Sequence, residues 1–292
     1  MICLIRNLLI YLQFANCKLL SRYLVDVLGK DTYMKKEILD KLKEIEREKG
    51  VRVLLAVESG SRAWGFASPD SDYDVRFIYV HKPEWYLSVA KQPDTIEYMS
   101  DDRIFDLSGW ELRKTLTLLS KTNPNLSDWL LTDLVYMYDP EFLQDIRRVQ
   151  DMYYNPIHAM YHFFNIAKRH DEGYLHRNGC TLKKFLYFLR GILACEYILK
   201  HRAHPPVNFR TMVNETVSDP RLLEEIDDIL VKKSKSKEHD TQEVHAVLQK
   251  YAFSLYNYWE KELTNFRPEK ELNNSGLKSL DEIMVKYVNM SY

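Results

Sequence analysis

Two aspartates, Asp72 and Asp74, stand two positions apart at the start of an apolar stretch that runs to Val80. In an extended chain successive side chains alternate between faces, so both carboxylates fall on one face and Tyr73 and Val75 on the other. Like charges that close disfavour the doubly ionised form unless a cation compensates them. A hard divalent ion suits such oxygen ligands: Mg2+ takes one or two carboxylates and completes its octahedron with water and substrate phosphates. The pair therefore points to phosphoryl chemistry, although standing alone an Asp-x-Asp reads as no more than the polar face of a strand.

It does not stand alone. Ten residues separate Asp72 from Gly60 and Ser61, which come directly after a buried apolar run. There a glycine permits a tight turn, and backbone amides with the Ser61 hydroxyl can hold a phosphate at a helix N-terminus. A third carboxylate, Asp106, follows Ile104 and Phe105. A neighbouring strand would bring it beside Asp72 and Asp74; alternatively it only caps a following helix, a role Asp fills well.

The elements that must position these residues can be read from periodicity. Ile38, Leu39, Leu42 and Ile45 recur at helical spacing in residues 35–49, and Gly50 follows as a stop. Residues 51–57 are nearly continuous in Val, Leu and Ala, which predicts a central strand covered on both faces. A loop or short helix is expected over 58–71, a second strand over 72–80, and two short strands over 94–99 and 101–106. From Leu112 onward helical spacing dominates, punctuated by Asn123-Pro124, Asp139-Pro140, Asn155-Pro156 and His204-Pro205-Pro206. The basic run over 232–237 is expected to be a solvated loop.

Composition bounds the rest. The chain has 292 residues, 46% hydrophobic, enough for one large domain or two modest ones with buried cores. Lys plus Arg number 41 against 42 Asp plus Glu, so any polyanion site must be local. Cys3, Cys17, Cys180 and Cys195 are dispersed without a C-x-x-C pair, which fits a reducing, cytoplasmic compartment. The apolar residues within 1–20 are interrupted by Arg6, Asn7, Gln13 and Lys18, too broken to span a bilayer. An amphipathic helix packed on the body is expected there, and Met34 is an alternative start.

A strand, then Gly60-Ser61, then about ten residues, then Asp72-Tyr73-Asp74, then Asp106, resembles the DNA polymerase beta-like nucleotidyltransferase superfamily. The longer strings Glu58-Ser59-Gly60-Ser61-Arg62-Ala63-Trp64-Gly65-Phe66 and Ser71-Asp72-Tyr73-Asp74-Val75-Arg76-Phe77-Ile78-Tyr79 are similar to one branch, the RlaP family of nucleotidyltransferases linked to RNA repair. The similarity continues through residues 106–114, the Lys121-Thr122-Asn123-Pro124 turn and residues 183–190, and spans residues 51–209.

The resemblance implies an α+β fold: a small mixed β-sheet with flanking helices, followed by a helical domain. The boundaries expected are an N-terminal extension over 1–33, a catalytic domain over 34–150 and a helical substrate-binding domain over 151–292. It implies transfer of a nucleoside monophosphate from a nucleoside triphosphate to a hydroxyl acceptor, RNA first, with release of pyrophosphate. Two Mg2+ ions, replaceable by Mn2+, would sit on Asp72, Asp74 and Asp106, with no protein base required. Gly60 and Ser61 would hold the terminal phosphates. Arg62 adds charge there or is a structural arginine. Lys183 and Lys184 lie beside a buried stripe of Leu182, Phe185, Leu186 and Leu189; one of them points away, to a phosphate or to solvent. Arg190 carries the same ambiguity.

Other classes fit less well. A protein or small-molecule acceptor is the rival within enzymes. A catalytically silent nucleotide- or RNA-binding module is the rival outside them, against which three intact carboxylates argue. His158 and His162 have helical spacing but lack the Glu of H-E-x-x-H sites and read as packing residues. Tyr153, Tyr154, Tyr161, Tyr187, Tyr197, Tyr251, Tyr256 and Tyr258 read as core or half-buried packing rather than base-stacking platforms. A P-loop ending, a dinucleotide fingerprint and a nucleophile elbow are all missing from the sequence.

Overall fold

The computed structural model describes residues 18–170, 181–236, 244–266 and 277–290. Cys3, Cys17 and Cys180, and the N-terminal segment up to residue 17, lie outside them. Two compact units divide the chain, Met1–Glu48 and Lys49–Tyr292. The first carries helix α1 (Lys18–Lys49), which starts well before the expected residue 35. Met34, Ile38, Leu42 and Ile45 form its buried stripe, three or four residues apart as one helix face requires. Gly50, at φ +60°, supplies the left-handed residue that ends the helix.

The second unit opens with β1 (Val51–Glu58), α2 (Gly60–Ala63), β2 (Tyr73–His81), α3 (Pro83–Tyr86), β3 (Thr95–Met99) and β4 (Phe105–Glu111). Then come α4 (Leu112–Ser120), α5 (Pro124–Leu131), β5 (Val135–Tyr138), α6 (Pro140–Tyr153) and α7 (Pro156–His170). The remainder is helical: α8 (Leu182–His201), α9 (Phe209–Thr216), α10 (Pro220–Lys235), α11 (Ala246–Glu262) and α12 (Lys278–Asn289). The fold is thus α+β, with a five-stranded sheet ordered β3-β4-β2-β1-β5. Only β2 and β4 pair in parallel; β1 with β2, β1 with β5, and β3 with β4 run antiparallel, so the sheet is mixed.

Proline placement explains several boundaries. Asn123 and Asp139 accept amide hydrogen bonds at the starts of α5 and α6, each with proline in the first turn, where its missing N–H costs nothing. Two expectations need correction. Residues 101–104 are turn, and the strand expected there begins at Phe105 and runs on to Glu111. Of the two readings of Asp106 the strand one holds, and Glu111 is the residue whose carboxylate caps the following helix, accepting from the amides of Arg113 and Lys114. The basic run at 232–235 is the last turn of α10, not a loop: Lys233 lies on its inner face, 1% exposed, and Lys237 lies outside the described residues. The short strand β5 was not legible in the sequence.

Two apolar clusters fill the second unit. One packs β1 and β2 residues such as Leu55, Ile78 and Val80 against α4, α5, α6 and α12. The other is built from α7 to α11 and takes in Phe66 from the loop after α2. Seven of the eight tyrosines named above are buried or half-buried, and Tyr258 is exposed. Gly109 in β4 faces Phe77 so closely that a Cβ would stand 2.2 Å from a ring carbon. Gly109→Ala is expected to cost about 1–3 kcal/mol by overpacking, measured by urea unfolding; a change within 0.5 kcal/mol would mean that the ring moves freely. No helix among the described residues is long and apolar enough to cross a membrane.

Candidate active site

One end of the sheet gathers the carboxylates. β1 finishes at Glu58, opposite Val75 near the start of β2, and the parallel pairing of β2 with β4 sets Asp74 directly opposite Asp106. Asp72 sits one residue before β2. Along this segment Asp72, Asp74 and Arg76 are half-buried while Ser71, Tyr73, Val75 and Phe77 are buried, the period-two alternation of a strand with one open face. The two aspartates share a face, as their spacing requires.

Arg76 completes that face, and the sequence reading passed over it. Its Nη2 donates to Asp74 Oδ1 and to Asp106 Oδ2, each at 2.8 Å. Its Nη1 donates to the carbonyls of Val75 at 3.1 Å and Asp106 at 2.9 Å. The Asp72 carboxylate makes no hydrogen bond or ion pair among the described residues. Burial pushes Asp74 up to about 6; Arg76 pulls against that, Asp72 and Asp106 reinforce it, and Lys183 pulls against it again.

Glu58, 2% exposed, is a further carboxylate at this end. Its Oε1 accepts from the Asp74 amide at 2.9 Å, and the Tyr136 hydroxyl on β5 donates to its Oε2. Burial pushes it up to about 7, against the pull of Tyr136, the Asp74 amide and Arg62. Its contact with Asp74 fixes the entry of β2. The partner lies 78 residues away in a strand with no sequence signature, so composition alone could not find the pair.

Gly60 abuts the same carboxylate. Its φ is +60°, and a Cβ would stand 2.2 Å from Asp74 Oδ2. The glycine is thus required twice, for the left-handed turn and for the approach of α2 to the acid. Gly60→Ala is expected to cost about 1–2 kcal/mol for the backbone alone and to displace Asp74, read by thermal unfolding together with transfer activity. A variant with native stability and rate would deny the contact.

Each remaining candidate has a definite place. The Ser61 hydroxyl points inward, donating to Ser71 Oγ at 3.4 Å. Ser71 in turn lies 3.0 Å from Ser68 Oγ, which accepts from Lys233 Nζ at 2.8 Å. What Ser61 offers an anion is its amide, at the first turn of α2, where amides have no intrahelical acceptor. Arg62 donates from Nε to the Asp72 carbonyl at 2.9 Å and from Nη2 to the Ser71 carbonyl at 2.7 Å, and lies over the Tyr73 ring. It thereby shapes the turn that presents Asp72.

Lys183, in the first turn of α8, acts electrostatically on Asp74, whereas Lys184 acts on His170. Arg190 is not available to a phosphate. It is buried against Asp128, with Nη2 at 3.0 and 2.9 Å from the two carboxylate oxygens. Trp64, just after α2, donates to the same acid at 2.9 Å.

Among the described residues no group of three or more His, Cys, Asp or Glu side chains is arranged to hold a metal ion. Arg76 stands between Asp74 and Asp106. The donor set nevertheless fits a hard divalent ion: the Asp72 carboxylate is uncommitted and shares a face with Asp74, whose bond to Arg76 uses Oδ1. A cleft of about 430 Å³ beside this point is lined by Arg76, Asp106, Ser108 and Glu97 among others. A larger cavity, about 740 Å³, lies apart from the carboxylates and includes His158 and His162 in its wall. The carboxylate end has the chemistry and the larger cavity only the room.

The chain is similar to a protein family, a bacterial relative and a solved structure. The family model RlaP, described as an RNA repair pathway DNA polymerase beta family, matches residues 34–286, further toward the C-terminus than the motif resemblance reached. An uncharacterized protein of Bacillus subtilis (strain 168), YcgL, is 41% identical over 255 residues, covering 86% of this chain and 98% of that one. A solved nucleotidyltransferase-like protein from Exiguobacterium sibiricum 255-15 aligns over 85% of this chain and 88% of its own, at 14% identity and a TM-score of 0.29. Membership rests on the first two.

Proposed function

This chain belongs to the RlaP family, and on that premise we propose that it is a metal-dependent nucleotidyltransferase acting on an RNA end. The acceptor hydroxyl oxygen forms a bond to the α-phosphorus of a nucleoside triphosphate. The bond from that phosphorus to the bridging oxygen breaks, pyrophosphate leaves, and the hydroxyl proton passes to solvent. A bound divalent ion, Mg2+ or Mn2+, supplies the charge that acidifies the hydroxyl and steadies the leaving phosphates.

The chain's own part is placement. Asp72 and Asp74 would hold the ion on one face of β2, and Asp106, across the parallel pairing, would complete the acidic wall. The Gly60 and Ser61 amides would take the terminal phosphates, with Lys183 adding positive charge from α8. Arg62 holds the turn before Asp72 and so acts through it. The observation that carries this reading is the register that sets Asp74 opposite Asp106 with Gly60 closed against Asp74.

Among acceptors, RNA is favoured by the description of the family whose model matches. With net charge −1, binding to a polyanion depends on a local groove and should weaken steeply with salt. The test is a label-transfer survey. Each α-labelled nucleoside triphosphate is incubated with Mg2+ and total RNA, protein or metabolite fractions. Label entering the RNA fraction supports the reading; label confined to protein or metabolites moves the acceptor; label in none removes the transferase.

A further inference from the structure

The guanidinium of Arg76 lies where the nearest pair of carboxylates would share a cation. Asp74 and Asp106 each place one oxygen 2.8 Å from the same nitrogen, Nη2. The other end of the group is tied to main chain, with Nη1 donating to two carbonyls, Val75 and Asp106. An ion that expelled Nη2 from this point would have to carry Nη1 with it, because the guanidinium is planar and rigid. Two backbone carbonyls in a half-buried position would then lose their donors.

We propose that Arg76 permanently fills the place of a second divalent ion, so that this chain works with a single metal on Asp72 and Asp74. This rests on the reading of the site as a metal-dependent nucleotidyltransferase and replaces the pair of ions expected from the sequence. Charge counting agrees. Before nucleotide binds, three carboxylates carry three negative charges against the three positive ones of Arg76 and one divalent ion. A second divalent ion at about 3.5–4 Å from the first would stand against a fixed guanidinium, and among side chains the buried Glu58 could not offset it, since its two oxygens already accept from the Asp74 amide and Tyr136. Arg76 is a positioning residue: it holds Asp74 and Asp106 apart at a fixed spacing and reaches the substrate only through them. The strand sets this up cheaply, since Asp72, Asp74 and Arg76 are successive residues of one face.

The experiment counts ions without turnover. The full chain is mixed with equimolar α,β-methylene nucleoside triphosphate, which cannot be cleaved at the reacting bond, and titrated with Mn2+. Bound ions are read by electron paramagnetic resonance, in which two neighbouring Mn2+ ions give a spin-coupled spectrum and a lone ion does not. Wild type is expected to show one lone ion per complex, altered in signal from the analogue alone and lost to that baseline in Asp72→Asn. Arg76→Met is expected to show a coupled pair. Arg76→Lys keeps the charge on a shorter stem and is expected to remain at one ion; circular dichroism checks that each variant is folded. A coupled pair in wild type, or a lone ion in folded Arg76→Met, would overturn the role of Arg76 and leave the nucleotidyltransferase reading intact. A wild-type spectrum identical to the analogue alone would overturn both.

Discussion

Asp74→Asn is expected to lower nucleotide transfer by about 10³-fold, the scale on which one charge-stabilising group at a reacting centre matters. The amide keeps the shape, so the fit against Gly60 and the pairing of β2 with β4 survive; what is lost is the charge that a cation and Arg76 both use. Stability should hardly move. The Asn carbonyl oxygen can still accept from Arg76 Nη2, and Asp106 keeps its own bond to that nitrogen. Initial rates of transfer at saturating Mg2+, measured beside thermal unfolding, separate the two effects. A loss below tenfold would remove Asp74 from the chemistry, and a collapse in melting temperature would make the effect structural.

The second large effect is one of folding. Asp128 and Arg190 are both buried, and Asp128 also accepts from Trp64. This trio ties three segments together: α5, the inner face of α8 and the loop that follows α2. Arg190 further lies over the Trp64 ring, 4.4 Å from its centroid. Asp128→Ala leaves a guanidinium in the interior without its acid, which should cost about 3–5 kcal/mol. Because Trp64 loses its acceptor too, the turn carrying Gly60 should loosen and transfer should fall with stability. The double change Asp128→Leu with Arg190→Met removes both charges and should recover most of the lost stability, though not the Trp64 hydrogen bond. Urea unfolding of the three proteins checks this, and a single variant within 1 kcal/mol of wild type would refute the tie.

Much of this was legible in the chain. Period-two alternation located β2 and put Asp72 and Asp74 on one face. A continuous apolar run located β1, and Asn or Asp before proline marked the starts of α5 and α6. The same alternation extends one step to Arg76, and counting i, i+2, i+4 along the strand would have found it; attention to acids alone hid the cation among them. Asp106 was placed correctly on a strand beside Asp74, but that strand was expected to end there, because Leu112, Leu116 and Leu119 announce a helix while Leu107-Ser108-Gly109-Trp110 gives no clear alternation. The tie of Glu58 to Tyr136 and that of Arg190 to Asp128 span 78 and 62 residues, and such pairings are set by packing rather than by local pattern. Lys233 was invisible for a related reason: a lysine-rich stretch reads as solvated, yet one helical position in it faces the serines below Ser61.

On the proposed reading, this acidic end of the sheet cleaves a nucleoside triphosphate between its α- and β-phosphates. Pyrophosphate release reports that cleavage, measured with each nucleoside triphosphate, Mg2+ and total RNA for wild type beside Asp72→Ala with Asp74→Ala. Wild type should release pyrophosphate in equal amount to the label it incorporates, and the double variant should release none above background. Equal release by the two proteins would contradict the claim.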